Sequence, residues 1–188
     1  METGFVDLQK IIAELEIKPG EVVADFGAGS GFLTLEAARK TGASGTIYAL
    51  DILEEPLEMI QKKAADLRLS QIKTVKVNLE KPSGSGLPAD SCDWVFLSNV
   101  LFQNETPENL ILEAVRILKP QGRILVVDWH PEKMLNPETH HPLSASQTKE
   151  IFKRLGMSAD KAFSASASHY GLIFTQTNGL KKLFSFIS

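Results

Sequence analysis

Two carboxylates and a cluster of glycines carry the clearest chemistry in this sequence. Asp25 stands two residues ahead of Gly27-Ala28-Gly29-Ser30-Gly31, and Asp51 follows about twenty residues later. Glycine permits positive φ and lets main chain approach a ligand with no Cβ in the way. A helix starting behind such a turn offers free N–H groups and a positive dipole end, a seat for a phosphate or a carboxylate. Asp25 is poor company for a pyrophosphate and suits a cationic group such as an amino-acid ammonium. Asp51 stands where an acid accepts hydrogen bonds from both hydroxyls of a ribose.

The spacing separates two ligand classes. A dinucleotide fingerprint runs Gly-x-Gly-x-x-Gly/Ala, whereas here Phe32 occupies the place of the last small residue. A nicotinamide-dependent oxidoreductase is therefore disfavoured by Phe32 and Asp25 together. A ligand with an amino-acid end and a ribose fits the two acids, and S-adenosylmethionine has both.

Other reactive side chains are few. His130, in Asp128-Trp129-His130-Pro131, follows a strand at the sheet edge where ligands gather. His169 precedes the last strand beside Tyr170. Both are candidates for a general base, and both also read as loop or hydrogen-bonded structural histidines. His140-His141 make a poor metal site without further ligands, and no metal is expected. Trp129 reads as a stacking platform or as an interior aromatic. The one cysteine, Cys92, excludes an internal disulfide and a cysteine-based zinc site. It reads as a small half-buried residue before a strand.

The elements that would position these residues alternate helix and strand, the pattern of a parallel sheet covered on both faces. Phe5 to Glu16 places Phe5, Leu8, Ile11, Ile12 and Leu15 at helical spacing. Glu21–Phe26, Gly45–Leu50, Thr74–Val77, Cys92–Leu97 and Gly122–Asp128 read as strands. Gly31–Lys40, Pro56–Leu67 and Pro107–Leu118 read as helices, the last stopped by Lys119-Pro120-Gln121-Gly122. Lys81–Ala89 is a turn-rich loop and Pro131–Pro142 an irregular one. Ser146–Leu155 is a helix closed by Gly156. Lys161–Ala167 and His169–Thr175 read as a final hairpin. The expected division is a cap helix over residues 1–20, one domain over 21–177 and a tail over 178–188.

Composition narrows the partners. The 188 residues carry a formal charge of −3, with 43% apolar and 23% charged residues. That suits one globular domain. No Lys/Arg block predicts a nucleic-acid footprint. No apolar stretch reaches the roughly 18–20 residues that span a bilayer, and the first residues lack the pattern of a secretory signal. A cytoplasmic location is the expectation.

These residues together resemble the class I S-adenosylmethionine-dependent methyltransferases, in particular small single-domain relatives of the ubiquinone and menaquinone C-methyltransferases. The resemblance spans about Glu14 to Thr175. Asp25-Phe-Gly-Ala-Gly-Ser-Gly31 is similar to the family's first motif and Ala49-Leu-Asp51-Ile52 to its acidic ribose motif. Asp93 to Val100 resembles the strand beneath the methyl donor, and Ile117–Gly122 with Arg123–Val127 the helix stop and strand after it.

The resemblance implies an α/β fold: a Rossmann-like three-layer α/β/α sandwich. Its seven-stranded, mostly parallel sheet has the order 3-2-1-4-5-7-6, with an antiparallel last strand. It implies S-adenosyl-L-methionine as cofactor, with S-adenosyl-L-homocysteine as product, and in-line transfer to a small-molecule methyl acceptor. By position, the turn Asp25-Phe26-Gly27-Ala28-Gly29 would meet the methionine part, with Asp25 near its amino group. Asp51 would hold the ribose and Ile52 would line the adenine pocket. Asn78-Leu79 stand where the family often has an acid and an apolar residue, so Asn78 is a departure. Ser98 or Asn99 would lie near the sulfonium or the acceptor. After the fourth strand Ser98-Asn99-Val100-Leu101 replaces the Asn-Pro-Pro-Tyr type of motif, which disfavours adenine-N6 or glutamine as acceptor. The single cysteine disfavours arsenite. A non-catalytic protein that binds S-adenosylmethionine as a sensor or subunit is the alternative.

Overall fold

Strands of this sequence that are apolar along their whole length must be covered on both faces. In the computed structural model, which describes residues 6–104, 106–134 and 140–177, the most apolar of them lie in the middle of one sheet. The strands are β1 (Val22–Phe26), β2 (Thr46–Asp51), β3 (Ile72–Lys76), β4 (Cys92–Ser98), β5 (Leu118–Trp129), β6 (Met157–Ser164) and β7 (His169–Gln176). Their order is β3-β2-β1-β4-β5-β7-β6. β3, β2, β1, β4 and β5 pair in parallel, and β7 runs antiparallel to both β5 and β6. The chain is thus a Rossmann-like α/β fold, with the order and the reversed last strand that the resemblance implies.

Helices cover both faces. α1 (Leu8–Glu14) and α2 (Phe32–Thr41) pack with Val23, Ile47, Phe96, Leu125 and Val127 on one face. α3 (Glu54–Asp66) lies against β2 and β3. α4 (Pro107–Ile117) and α5 (Ala145–Arg154) close the other face over Phe26, Leu97, Val126 and Phe174. Strand order reverses between β1 and β4, the place where open α/β sheets form a ligand crevice beyond the carboxyl ends of their strands.

Several boundaries differ from expectation for local reasons. α1 starts late because Asp7 caps it, its carboxylate accepting from Lys10 N at 3.3 Å. α3 starts at Glu54, before Pro56, because a first-turn proline lacks only an N–H that would be unpaired anyway. α5 begins at Ala145 behind a capping box made by Ser144 and Gln147. The Lys119–Gly122 stop is instead part of β5. Leu118 pairs with Cys92 and Arg123 with Trp94, so four residues of β5 bulge past Asp93 alone. Lys119 bonds that aspartate at 2.8 Å. β6 starts at Met157 rather than Lys161, directly after Gly156 ends α5 at φ 76°. This edge strand is exposed along most of its length, so it shows no alternation to read. Cys92 is fully buried rather than half-buried, and burial pushes its thiol up to about 11. Expectations about Phe5, residues 135–139 and the tail over 178–188 lie outside the described residues.

Candidate cofactor site

The glycine turn leaves the carboxyl end of β1 and feeds α2. Gly27 N and Ala28 N both donate to Leu50 O, at 2.8 and 3.0 Å, so the turn is stitched to β2. Gly31 caps α2 at φ 77°, and a Cβ there would lie 2.4 Å from Ile60 Cγ1. That glycine therefore lets α2 and α3 meet. Gly29 has φ 49°, and a Cβ there would meet only Gly27 O, at 3.8 Å. It opens into a cleft of about 350 Å³, within the size range of small-molecule sites.

Asp51 closes one side of this cleft. It is 8% exposed, and its two oxygens accept from Gly29 N and Leu53 N, both at 3.0 Å. One carboxylate thus holds both the glycine turn and the entry to α3. Each oxygen keeps a further lone pair for a ligand hydroxyl. Ile52 and Leu53, 57% and 61% exposed, form an apolar rim beside it. Asn78 and Leu79 line the cleft from beyond β3. Asn78 Oδ1 accepts from Glu80 N at 3.0 Å, which leaves its amide group for a ligand.

The opposite wall comes from the segment after β4. Asn99 adopts φ 54°, in the left-handed region that asparagine tolerates better than most residues. Its N–H still donates to Val127 O at 2.8 Å. Among the described residues its buried Oδ1 has no hydrogen-bond partner, although the residue lines the cleft. An unpaired buried acceptor costs roughly 1–3 kcal/mol, a cost that an N–H donor on a ligand would remove. The 3-10 turn Leu101–Gln103 continues this wall with Val100, Gln103 and Asn104. Asn104 Nδ2 donates to Val100 O at 2.6 Å.

Not every expected residue faces the cleft. Asp25 is 2% exposed and lies beneath the turn, where Thr34 Oγ1 donates to it at 2.6 Å. The nearby Thr34 backbone N–H also favours the charged form. The chain's own Asp25 thus supplies the anion at the start of α2. Burial pushes its carboxyl up to about 6, against the opposing effect of the Thr34 bonds. Asp25, expected near the amino group, thus lies beneath the turn and does not itself line the cleft. Phe26 is fully buried in the core, because alternation along β1 turns it away from the Asp25 face. Ala28 and Ser98 are half-buried and do not line the cleft.

Neither candidate histidine lines it. His130 is half-exposed, 3.8 Å from Glu132, with its ring edge-on to Tyr170. His169 is 1% exposed and packs on Trp129 with centroids 4.1 Å apart. Ser166 and Ser168 hydroxyls lie 3.1 and 3.0 Å from its Nδ1, while Nε2 has no partner among the described residues. Burial, with His130 adding to it, brings its pKa down to about 4, so it is neutral at pH 7. A base this weak is suited to structure rather than proton removal.

Sequence reasoning passed over Asp128, which is 1% exposed at the carboxyl end of β5. The signal was present, since an acid ends the apolar run Ile124–Val127. A larger cleft of about 700 Å³ opens at the other end of the strands, between Glu16, Asp93, Lys119 and Arg123. Arg123 pairs there with Glu16 and Lys119 with Asp93, both at 2.8 Å. Its charges satisfy one another, so it lacks the unpaired acceptor and glycine approach of the smaller cleft. Among the described residues no group of three or more histidine, cysteine or acidic residues is placed to hold a metal, and no helix is long and apolar enough to cross a membrane.

S-adenosylmethionine fits the residues present. Asp51 suits ribose hydroxyls, Ile52 and Leu79 an adenine ring, Gly29 a close main-chain approach, and the orphan Asn99 oxygen an ammonium.

Comparison with known proteins agrees. A family described as "Methyltransferase domain" matches residues 17–178. The ubiquinone/menaquinone biosynthesis C-methyltransferase of Marinomonas sp. is 28% identical over 152 residues, 79% of this chain and 59% of that protein. The demethylmenaquinone methyltransferase of Lactobacillus johnsonii is 26% identical over 122 residues, 64% of this chain and 48% of that protein. The chain thus spans about half the length of these curated relatives. Among solved structures, a SAM-dependent methyltransferase from Aquifex aeolicus superposes with TM-score 0.78 at 23% identity, covering 92% of this chain and 90% of that one. One from Mesorhizobium loti superposes with TM-score 0.75 at 19% identity, covering 91% and 98%. At these identities the superpositions establish the fold, and the family match establishes the rest: the chain belongs to the methyltransferase domain family, whose cofactor is S-adenosylmethionine.

Proposed function

We propose that this protein transfers the methyl group of S-adenosylmethionine to a small-molecule acceptor by in-line displacement. The observation that carries the reading is the convergence of Asp51, Gly29 and the unpaired Asn99 oxygen on one cleft at the switch point of the sheet. The bound cofactor supplies an activated methyl on a sulfonium. An electron pair of the acceptor would take that carbon as the carbon–sulfur bond breaks and S-adenosylhomocysteine leaves, and a carbon acceptor would then lose its proton to solvent. The chain's task is then to orient the two reactants, which is worth effective molarities of about 10⁵–10⁸ M.

Residue roles follow the geometry. Asp51 accepts from the ribose hydroxyls, and Asn99 Oδ1 from the ammonium. Ile52, Leu79 and Asn78 surround the adenine. Gly27 and Gly29 bring main chain against the methionine part, with Asp25 holding the turn from below. The curated relatives are named for C-methylation in ubiquinone and menaquinone biosynthesis, so quinone precursors are the first acceptors to test. The reading is of a cytoplasmic enzyme with no nucleic-acid substrate.

Calorimetric titration tests the cofactor: S-adenosylmethionine and S-adenosylhomocysteine should bind, and NAD should not. Labelled methyl donor incubated with quinone precursors and with metabolite extract tests the transfer. One observation favours a second reading, a sensor without transferase activity: neither candidate histidine lines the cleft. Tight cofactor binding with no transfer to any extract would select that reading.

A further inference from the structure

We infer that Asp128 is a positioning residue for the cofactor: its buried carboxylate pins the start of the 3-10 turn Leu101–Gln103 and thereby sets the cleft wall that contains Asn99, Val100 and Gln103. The inference rests on the cofactor reading of that cleft. Asp128 is the penultimate residue of β5, with Tyr170 as its register partner on β7. Oδ2 accepts from Phe102 N at 3.2 Å, and Oδ1 from Trp129 N at 2.8 Å. The nearby Leu101 N–H also favours the charged form. Among the described residues the carboxylate pairs with no cation. It thus gathers the first N–H groups of a short turn whose other end lines the cleft.

A second tie makes the wall depend on that turn. Phe102 O accepts from His141 N at 2.8 Å, and the Phe102 ring meets His140 edge-on at 5.1 Å. The segment after β5 and the segment after β4 are therefore fastened to each other at Phe102, with Asp128 beneath. If Asp128 lost its charge, the donor at Phe102 would lose a strong acceptor, because hydrogen bonds to a charged group are about twice as strong as neutral ones.

The consequence is a pH-dependent site. Burial pushes the Asp128 carboxyl up to about 7, against the opposing effect of the Trp129, Phe102 and Leu101 main-chain N–H groups. The ionised form holds the wall, so cofactor affinity should rise as pH rises through this range. By linkage, binding should then lower the Asp128 pKa and release a proton. Other ionisable groups near it are Tyr170 on β7, whose hydroxyl is engaged by Thr148 of α5 at 2.8 Å, and His130, whose ring lies against Tyr170. His140 and His141 stand over Phe102. On α4, Glu108 is exposed, while Glu113 and Arg116 pair with each other.

The test is calorimetry of S-adenosylhomocysteine with the wild type and Asp128→Asn, at about pH 6 and about pH 8.5. It is joined by a ¹³C-carboxyl titration of aspartate-labelled wild type with and without ligand. A fall of one pKa unit from about 7 on binding corresponds to roughly fivefold tighter binding at the higher of these pH values. We expect that gain in the wild type, with proton release, and its loss in Asp128→Asn, whose histidines are intact. A carboxylate that serves only the fold would lower affinity equally at both pH values. A folded Asp128→Asn that keeps wild-type affinity and its pH dependence overturns the inference. So does an Asp128 carboxyl signal that ligand does not move, a readout that needs no variant to fold. Wild-type binding that is flat with pH overturns this inference alone, while no binding at any pH overturns it together with the cofactor reading.

Discussion

Asp51→Ala should weaken the fold and the cofactor site by separable amounts. The carboxylate is 8% exposed and accepts from Gly29 N and Leu53 N, both at 3.0 Å. Each hydrogen bond to a charged group is worth about 1.5–3 kcal/mol. Both freed amides border an open cleft where water can replace the lost oxygen. The lower end of the range therefore applies, giving a loss of roughly 2–4 kcal/mol in unfolding free energy. Binding loses the ribose hydrogen bonds in addition, a further 1.5–3 kcal/mol or roughly ten- to 150-fold in Kd. Urea denaturation reads the first quantity, and calorimetry with S-adenosylhomocysteine the second. An analogue lacking both ribose hydroxyls separates contact loss from distortion of the turn, since it should bind wild type and Asp51→Ala equally. A folded Asp51→Ala with unchanged affinity for S-adenosylhomocysteine would refute the ribose assignment. An unchanged urea midpoint would refute the claim that Asp51 holds the turn.

Further outcomes follow from the same geometry. Gly31→Ala should destabilise by about 2–4 kcal/mol in urea, from strain at φ 77° and a Cβ placed 2.4 Å from Ile60 Cγ1. A midpoint within error of wild type would show that α3 moves aside freely. Asn99→Gly should leave stability unchanged or raise it by up to about 1 kcal/mol, by relieving a left-handed residue and deleting an unpaired oxygen. It should nonetheless weaken S-adenosylhomocysteine binding several-fold; unaltered calorimetry would remove Asn99 from the site. His169 is held neutral with a pKa lowered to about 4, below its unfolded value near 6.5. Its contribution to stability is complete above about pH 6.5 and is lost as pH falls toward 4. Replacing it with phenylalanine should therefore flatten the acid side of a thermal-denaturation profile, and an unchanged profile would contradict the burial argument.

The two ends of the sheet show how far local sequence reaches. The glycine turn, its flanking strand and helix, and Asp51 at the end of β2 were legible because each depends on a short stretch of chain. Positive φ selects glycine, and a run without polar residues selects a central strand. The Asn99 wall was only half legible. Its place after β4 could be read from the motif, but its left-handed backbone and orphan oxygen arise from contacts with Val127 and the turn Leu101–Gln103. β6 and the bulge at Lys119–Gly122 were misread for a related reason. Polar edge strands and strand irregularities are fixed by the partner strand, which the local pattern does not contain.

The sequence by itself determined that two acids and a flexible bend would stand at the ends of neighbouring strands, because strand, turn and helix signals are local. Only the tertiary structure decided what each acid does. Asp51 remains at the cleft and Asp25 is sealed under it, bonded to Thr34, because side chains on α2 close over one and not the other. Asp128 gained its place in the site the same way. Its Phe102 donor comes from a turn that precedes it by about two dozen residues, and no periodicity in the chain encodes that meeting.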